Sequence, residues 1–139
     1  MEIRKIVEKD LLECIELLKQ LTVVGEANFY QIFQTIIKNP NYYIYVAEKD
    51  GKIIGMASIF IEQKFIHSGG RVGHIEDVVV DSNYRKLNIG KMLIEKCIET
   101  SKMRDCYKVI LDCDKSNLPF YQKCGFIEYG VSMKINFQT

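Results

Sequence analysis

Apolar positions along the chain recur at helical spacing in some stretches and at strand spacing in others, and the changes mark the predicted elements. Apolar residues three and four apart follow Asp10 as far as Leu21 and recur over residues 29–38, so both stretches are predicted helices. Residues 3–7, 42–48 and 52–62 are predicted strands, the last two forming a hairpin around Lys49-Asp50-Gly51. The first half therefore predicts a strand, two helices and a hairpin.

The second half of the chain returns to the strand pattern at residues 75–80, a run rich in β-branched residues. A helix is predicted from Gly90, a strand over 107–113, and a short helix over 116–124 that ends at Gly125. Residues 126–131 and 132–137 are predicted to form two strands that close the sheet. This order predicts a single α/β (α+β) domain over residues 1–139, with a mixed central sheet and helices on both faces.

The stretch between the strand at 75–80 and the helix at Gly90 has the chemistry of an anion site. The first N–H groups of a helix lack internal partners, and the helix dipole is positive at that end. Arg85, Lys86 and Lys91 add positive charge, and the first turn after Gly90 carries no acid. The alternative is an ordinary strand–turn–helix connection whose basic side chains are simply solvated.

Composition narrows the class of function. With 19 Lys and Arg against 18 Asp and Glu, the net charge of +1 gives no overall field that favours nucleic acid or an anionic membrane surface. Neither a membrane-spanning run nor a signal peptide is evident, and five cysteines without a CxxC pair fit reduced thiols, so a cytoplasmic protein is expected. The spacing of His67 and His74 fits no common metal site, so no metal is expected.

Two levels of resemblance to known proteins follow from these motifs. Val-Val-Val-Asp at 78–81, followed by Arg85-x-x-x-Ile89-Gly90, resembles the acetyl-CoA pyrophosphate loop of the GNAT N-acetyltransferase superfamily, with Asn88 where the first Gly is usual. More specifically, five segments resemble the glucosamine 6-phosphate N-acetyltransferase family: residues 21–25, 60–67, 73–80, 106–113 and 117–126. The resemblance implies the GNAT fold, whose sheet is mostly antiparallel, and acetyl-CoA as co-substrate.

The resemblance also implies roles for single residues. The cofactor-binding residues are expected to be Val78, Val79, Val80, Arg85, Lys86, Leu87, Asn88, Ile89, Gly90, Lys91, Asn117 and Tyr121. Tyr121, Asp112 and Glu76 are expected to be catalytic, with Tyr121 as the candidate acid for the leaving thiolate. Each has a structural alternative: core packing for the valines and Tyr121, an N-cap for Asn117, and solvent or a Lys108 or Arg71 partner for the carboxylates.

The acceptor implied by the resemblance is the 2-amine of glucosamine 6-phosphate. The expected substrate-binding residues are Thr22, Lys64, His67, Glu76, Asp77, Tyr107 and Lys108. The family forms homodimers in which an Arg near the last strand reaches the sugar phosphate. Asn136 stands at that position here, and Lys134 could supply the charge instead. Other small amines, a protein amine, or acetyl-CoA binding without turnover remain alternatives.

Overall fold

The computed structural model describes residues 1–138, and its centre is a sheet of five strands in the order β1-β2-β3-β4-β5. The strands are β1 (Glu2–Lys5), β2 (Tyr42–Lys49), β3 (Lys52–Gln63), β4 (Arg71–Val80) and β5 (Cys106–Ile110). Neighbours from β1 to β4 are antiparallel, and β5 joins β4 in parallel. The mixed, mostly antiparallel sheet is confirmed.

Helices cover both faces of the sheet. They are α1 (Leu11–Leu18), α2 (Phe29–Ile37), the single turn α3 (Ile66–Gly69), α4 (Ile89–Met103) and α5 (Leu118–Lys123). Adjacent residues of β2 enter different cores: Ala47 packs in a cluster with α4, whereas Val46 packs in a cluster with α1 and α2. Because side chains alternate along a strand, these two clusters lie on the two faces.

Several predicted boundaries were wrong. The helix α1 ends at Leu18 rather than Leu21, β4 begins at Arg71 rather than Ile75, and β5 ends at Ile110 rather than Cys113. The side chain of Asp10 does not cap α1; it accepts bonds from the Val7 N–H and from Arg4 instead. The strand β5 ends early because it diverges from β4 after Ile110, so residues 111–113 have no partner for backbone hydrogen bonds.

The two strands predicted for the C-terminal segment, residues 126–138, are also wrong, because no residue of that segment belongs to a strand in this chain. From Ile127 onwards every second side chain is apolar, and these six are exposed over 69% to 94% of their surface: Ile127, Tyr129, Val131, Met133, Ile135 and Phe137. A strand needs a neighbour to complete its hydrogen bonds. The segment therefore has the alternation typical of a strand, but it pairs with no strand within residues 1–138.

Among the residues that the structure describes, no helix is both long enough and apolar enough to cross a bilayer.

Candidate active site

The strands β4 and β5 separate halfway along β4. Their ladder runs from the pair Arg71 and Cys106 to the pair His74 and Ile110, and it stops there. Beyond His74, β4 continues to Val80 with β3 on one side and no paired strand on the other, within residues 1–138. Residues 75–80 thus present peptide groups at an open edge, which an extended ligand with amide groups can use as a strand would.

A β-bulge at Asp77 lies in this open half of β4. The pairs Met56–Val79 and Ser58–Glu76 leave both Asp77 and Val78 opposite Ala57. Asp77 has a φ of 51°, in the left-handed region that costs most L-residues energy. Strained backbone of this kind concentrates at functional sites.

A cavity of about 550 Å³ opens beside the bulge, where the strands diverge. It is lined by Leu21, Ile75, Glu76, Asp77, Val78, Leu111, Asp112, Cys113, Asp114, Asn117, Tyr121, Ser132, Met133 and Lys134. The structure therefore brings together the three residues expected to be catalytic. Of the residues expected to hold the sugar, only Glu76 and Asp77 line this cavity.

Carboxylates dominate the electrostatics of the cavity. Burial raises the pKa of Glu76, and the negative charges of Asp77 and Asp112 raise it further. Glu76 therefore holds a proton more readily than an isolated Glu, and its carboxylate is a stronger base. The hydroxyl of Ser132 donates a hydrogen bond to Asp112, which fixes one wall of the cavity.

Tyr121 is on α5, and its ring packs edge-on against the rings of Phe120 and Phe126. The centroid distances are 4.9 Å to Phe120 and 6.0 Å to Phe126. Burial raises the pKa of Tyr121 to about 12, with smaller contributions from Cys113 and Cys124. The phenol keeps its proton at neutral pH, and burial makes it a weaker acid than an exposed tyrosine. Asn117 occupies the N-cap position of α5, but its side chain makes no capping bond.

The predicted anion loop lies at the start of α4. Asn88 is in the left-handed conformation, with a φ of 60°, and the first turn of α4 contains no acid. Arg85, Lys86, Leu87 and Lys91 are exposed around it. Ile89 is fully buried, so only its backbone can reach a ligand. Gly90 packs against Phe120, where an added Cβ would lie 3.0 Å from the ring.

The open edge of β4 and the loop before α4 together fit acetyl-CoA. The edge offers backbone donors and acceptors to the amides of the pantetheine arm, and the helix start offers free N–H groups and cations to the pyrophosphate. Val78 and Val80 pack against the α4 core and Val79 against the α1 and α2 core, so all three valines are available to a ligand through their backbone. Within residues 1–138, no cluster of three or more His, Cys, Asp or Glu side chains is placed to hold a metal ion.

Three of the remaining expected sugar ligands, His67, Tyr107 and Lys108, form a separate group at the β5 edge. His67 stacks on Tyr107 with ring centroids 3.9 Å apart, and Lys108 Nζ lies 3.3 Å from the hydroxyl of Tyr129. Lys108 pairs with Val72, four residues before Glu76, which places this group about 13 Å along the strand from the carboxylates. Thr22 is exposed beside Leu21, and Lys64 Nζ lies 3.9 Å from Glu62.

The loop that carries Lys64 and His67 is fixed by Gln63. The amide of Gln63 donates to the carbonyls of Gly69 (2.7 Å) and Lys64 (3.1 Å), while its oxygen accepts from Arg71 (3.1 Å). Gly70 is needed here, because a Cβ would lie 2.6 Å from the Tyr107 ring. His67 is thus held on Tyr107 by the loop backbone.

Sequence reasoning missed several cavity residues. Leu21, Cys113, Asp114, Ser132 and Met133 line the cavity without belonging to any expected site. Leu21 and Cys113 adjoin predicted site residues, Asp114 follows Cys113, and Ser132 and Met133 lie in the C-terminal segment; none carries a pattern of its own. Lys134, considered as a source of charge, does line the cavity.

Comparison with known proteins agrees with this geometry. The acetyltransferase (GNAT) family profile matches residues 10–126. Glucosamine 6-phosphate N-acetyltransferase 1 of Dictyostelium discoideum is 41% identical, over 95% of this chain and 85% of its own. The glucosamine 6-phosphate N-acetyltransferase of Trypanosoma brucei brucei is 38% identical, over 98% of this chain and 95% of its own.

Solved structures show the same relation. The crystal structure of glucosamine-6-phosphate N-acetyltransferase from Arabidopsis thaliana superimposes with a TM-score of 0.94 at 41% identity, covering 99% of this chain and 98% of that one. A predicted acetyltransferase from Clostridium acetobutylicum, solved with acetyl-CoA, shares the fold at a TM-score of 0.78 and 20% identity, over 97% of this chain and 95% of that one. With a profile match over most of its length and relatives of this identity, the chain belongs to the acetyltransferase (GNAT) family and, within it, to the glucosamine 6-phosphate N-acetyltransferases.

Proposed function

We propose that this protein transfers the acetyl group of acetyl-CoA to the 2-amine of glucosamine 6-phosphate, giving N-acetylglucosamine 6-phosphate and CoA. The observation that carries the proposal is the open edge of β4, which runs from the basic loop before α4 to a cavity holding Glu76, Asp112 and Tyr121. Relatives of 38% and 41% identity that bear this enzyme name support the choice of acceptor.

The chain's own groups can perform each part of the transfer. Backbone N–H groups of residues 78–80 hold the thioester and polarise its carbonyl. Glu76 or Asp112 accepts the proton that the amine loses as its nitrogen bonds to the carbonyl carbon. Tyr121 donates its proton to the sulfur as the carbon–sulfur bond breaks. The amine of a 2-amino sugar is weakly basic, so part of it is neutral near pH 7 and needs little help.

The phosphate of the acceptor requires a cation, and Lys134 is the candidate. Asn136 stands where the family resemblance implies an Arg, whereas Lys134 is two residues earlier and lines the cavity. A lysine supplies a point charge without the two parallel bonds of a guanidinium. We therefore expect the phosphate to be recognised through Lys134, aided by the cluster of His67, Tyr107 and Lys108.

The same reasoning leads us to propose a homodimer. The alternate apolar residues of the C-terminal segment are exposed in the single chain, and packing against another surface would bury them. The strand β5 is at the edge of the sheet and can accept a further strand. The segment also lines the cavity through Ser132, Met133 and Lys134, so its packing determines one wall of the site. A second copy of this chain is the occupant that both features fit. Five free cysteines fit a reducing compartment, for which we propose the cytosol.

Thiol release from acetyl-CoA tests the proposed reaction. Glucosamine 6-phosphate, glucosamine and a polyamine are compared at matched concentrations, with Lys134→Ala beside the wild type. We expect a strong preference for the phosphorylated sugar, reduced in Lys134→Ala. Equal rates with glucosamine would reject the phosphate acceptor, and CoA binding without thiol release from any amine would reject the transferase.

A further inference from the structure

A second cavity, of about 370 Å³, lies at the other edge of the sheet, between β1, β2 and the C-terminal half of α4. We call it the basic cavity. It is lined by Ile3, Arg4, Lys5, Tyr43, Tyr45, Lys96, Thr100, Met103 and Arg104. The sheet order places β1 and β5 at opposite edges, so the basic cavity is remote from the proposed active site and from the edge proposed for dimerisation. None of its residues is among those expected to act in catalysis or to bind the cofactor or the sugar.

The charge of the basic cavity is one-sided. Its described lining contains four cationic side chains and no carboxylate. Arg4 is neutralised from outside by Asp10 and Glu48, which raise the pKa of its guanidinium. Lys96 has an exposed carboxylate partner, Glu99, at 3.6 Å. Lys5 and Arg104 are thus the two lining cations without a carboxylate partner in residues 1–138, and their charge is left for a ligand.

Arg104 is held in place by groups that do not neutralise it. Its guanidinium donates to the Pro40 carbonyl (3.1 Å), the Tyr43 hydroxyl (2.9 Å) and the Asn41 side-chain oxygen (2.7 Å). All three acceptors are uncharged. A guanidinium fixed in this way keeps its full charge and loses little further entropy when an anion binds.

Two tyrosine rings position the lysines. The Tyr43 and Tyr45 rings are stacked, 6.2 Å apart at 14°, and the Tyr45 hydroxyl is hydrogen-bonded to the buried Thr100. Lys5 Nζ lies 5.0 Å from the centre of the Tyr43 ring, and Lys96 Nζ lies 5.8 Å from that of Tyr45. Cation–π contacts at these distances restrain the ammonium groups without removing their charge.

From this arrangement we infer a second binding site, the basic cavity, for a small molecule that carries two or more phosphate groups. The two cations without a described carboxylate partner, Lys5 and Arg104, match two anionic groups better than a single carboxylate. The volume is within the range of small-molecule sites. Arg104 follows Gly90 by fourteen residues, about 21 Å along a helix, so one ligand cannot occupy this site and the loop before α4 together.

Inorganic pyrophosphate is the probe, and calorimetry on protein saturated with CoA is the measurement, because CoA occupies the proposed pyrophosphate loop. The test variant is Lys5→Ala/Lys96→Ala. The control is Lys9→Ala/Lys102→Ala, which removes the same charge at positions outside the cavity. We expect saturable binding in the wild type and the control, and at least tenfold weaker binding in the test variant. Arg104→Lys should weaken binding too, since lysine cannot form the three anchoring bonds.

Equal pyrophosphate affinity in the test and control variants would overturn the inference, as would no saturable binding by the wild type at millimolar pyrophosphate. Binding of poly-glutamate in preference to pyrophosphate would also overturn it, in favour of an acidic peptide. Thermal melting of each variant separates loss of binding from loss of folding. The outcome does not depend on which amine the enzyme acetylates.

Discussion

Burial raises the pKa of both Tyr121 and Glu76, and the two shifts affect the proposed chemistry differently. The raised pKa of Tyr121 keeps the phenol protonated at neutral pH but makes it a weaker acid, whereas the raised pKa of Glu76 makes its carboxylate a better base. Asp77 and Asp112 contribute by their charge to the shift of Glu76. Single residues in this site therefore depend on their neighbours for their chemistry.

Replacing Tyr121 with Phe tests the acid. Removing the hydroxyl while keeping the ring should lower kcat about 100-fold, the lower end of the range for general acid catalysis. The KM for acetyl-CoA should change little, since the ring packing with Phe120 and Phe126 is retained. Steady-state kinetics measure both values, with Tyr30→Phe on the surface of α2 as the matched control. Unchanged kcat with a large rise in KM would reject the role.

Replacing Asp77 with Asn tests the coupling of the carboxylates. Loss of the negative charge should lower the pKa of Glu76, because the neighbouring charge no longer disfavours ionisation. Activity that requires the Glu76 carboxylate would then appear at lower pH than in the wild type. Carboxyl NMR titration measures the pKa directly. Asp105→Asn is the control, because Asp105 also has a positive φ (57°) but does not line the cavity; an equal shift there would contradict the coupling.

At the scale of elements, the start of α4 depends on the left-handed conformation of Asn88. Asn88→Gly should preserve folding and CoA affinity, because Gly adopts positive φ without strain. Asn88→Val should destabilise the protein by about 1–2 kcal/mol, the cost of left-handed backbone for ordinary residues. Urea unfolding and CoA titration of both variants measure this. If Val is tolerated as well as Gly, the conformation is not required.

The elements differ in how far sequence could predict them. The hairpin of β2 and β3 and the helix α4 follow from periodicity, because their apolar faces meet the sheet core directly. The segments brought together at the cavity, residues 75–78 and 111–114, could not be placed by pattern. The end of β5 depends on its divergence from β4, and the bulge at Asp77 depends on the register with β3. Both are properties of pairs of strands, so only the resemblance to a known family anticipated this site.

At the scale of the whole molecule, the proposed dimer rests on the exposed apolar side chains of the C-terminal segment. Ile135→Asp/Phe137→Asp should shift the protein from dimer to monomer, because it charges two side chains that are 81% and 94% exposed in the single chain. Analytical ultracentrifugation measures the mass. Gln138→Asp is the control, since Gln138 is at one of the alternate positions that do not carry the apolar side chains. A wild type that stays monomeric at all concentrations would contradict the proposed dimer.

The bulge at Asp77 also has a consequence for what changes the chain can accept. Ile75, Val78 and Val80 face the α4 core and Val79 faces α1 and α2, although strict alternation from Ile75 would bring Val79 to the α4 side. The bulge absorbs the difference, because Asp77 and Val78 together stand opposite Ala57. Deleting Asp77 would leave Val78 alone opposite Ala57, so the strand would become regular and all three valines would stay on their present faces. The packing of the two cores does not require the extra residue, and we expect this deletion to alter the cavity far more than the folding of the chain.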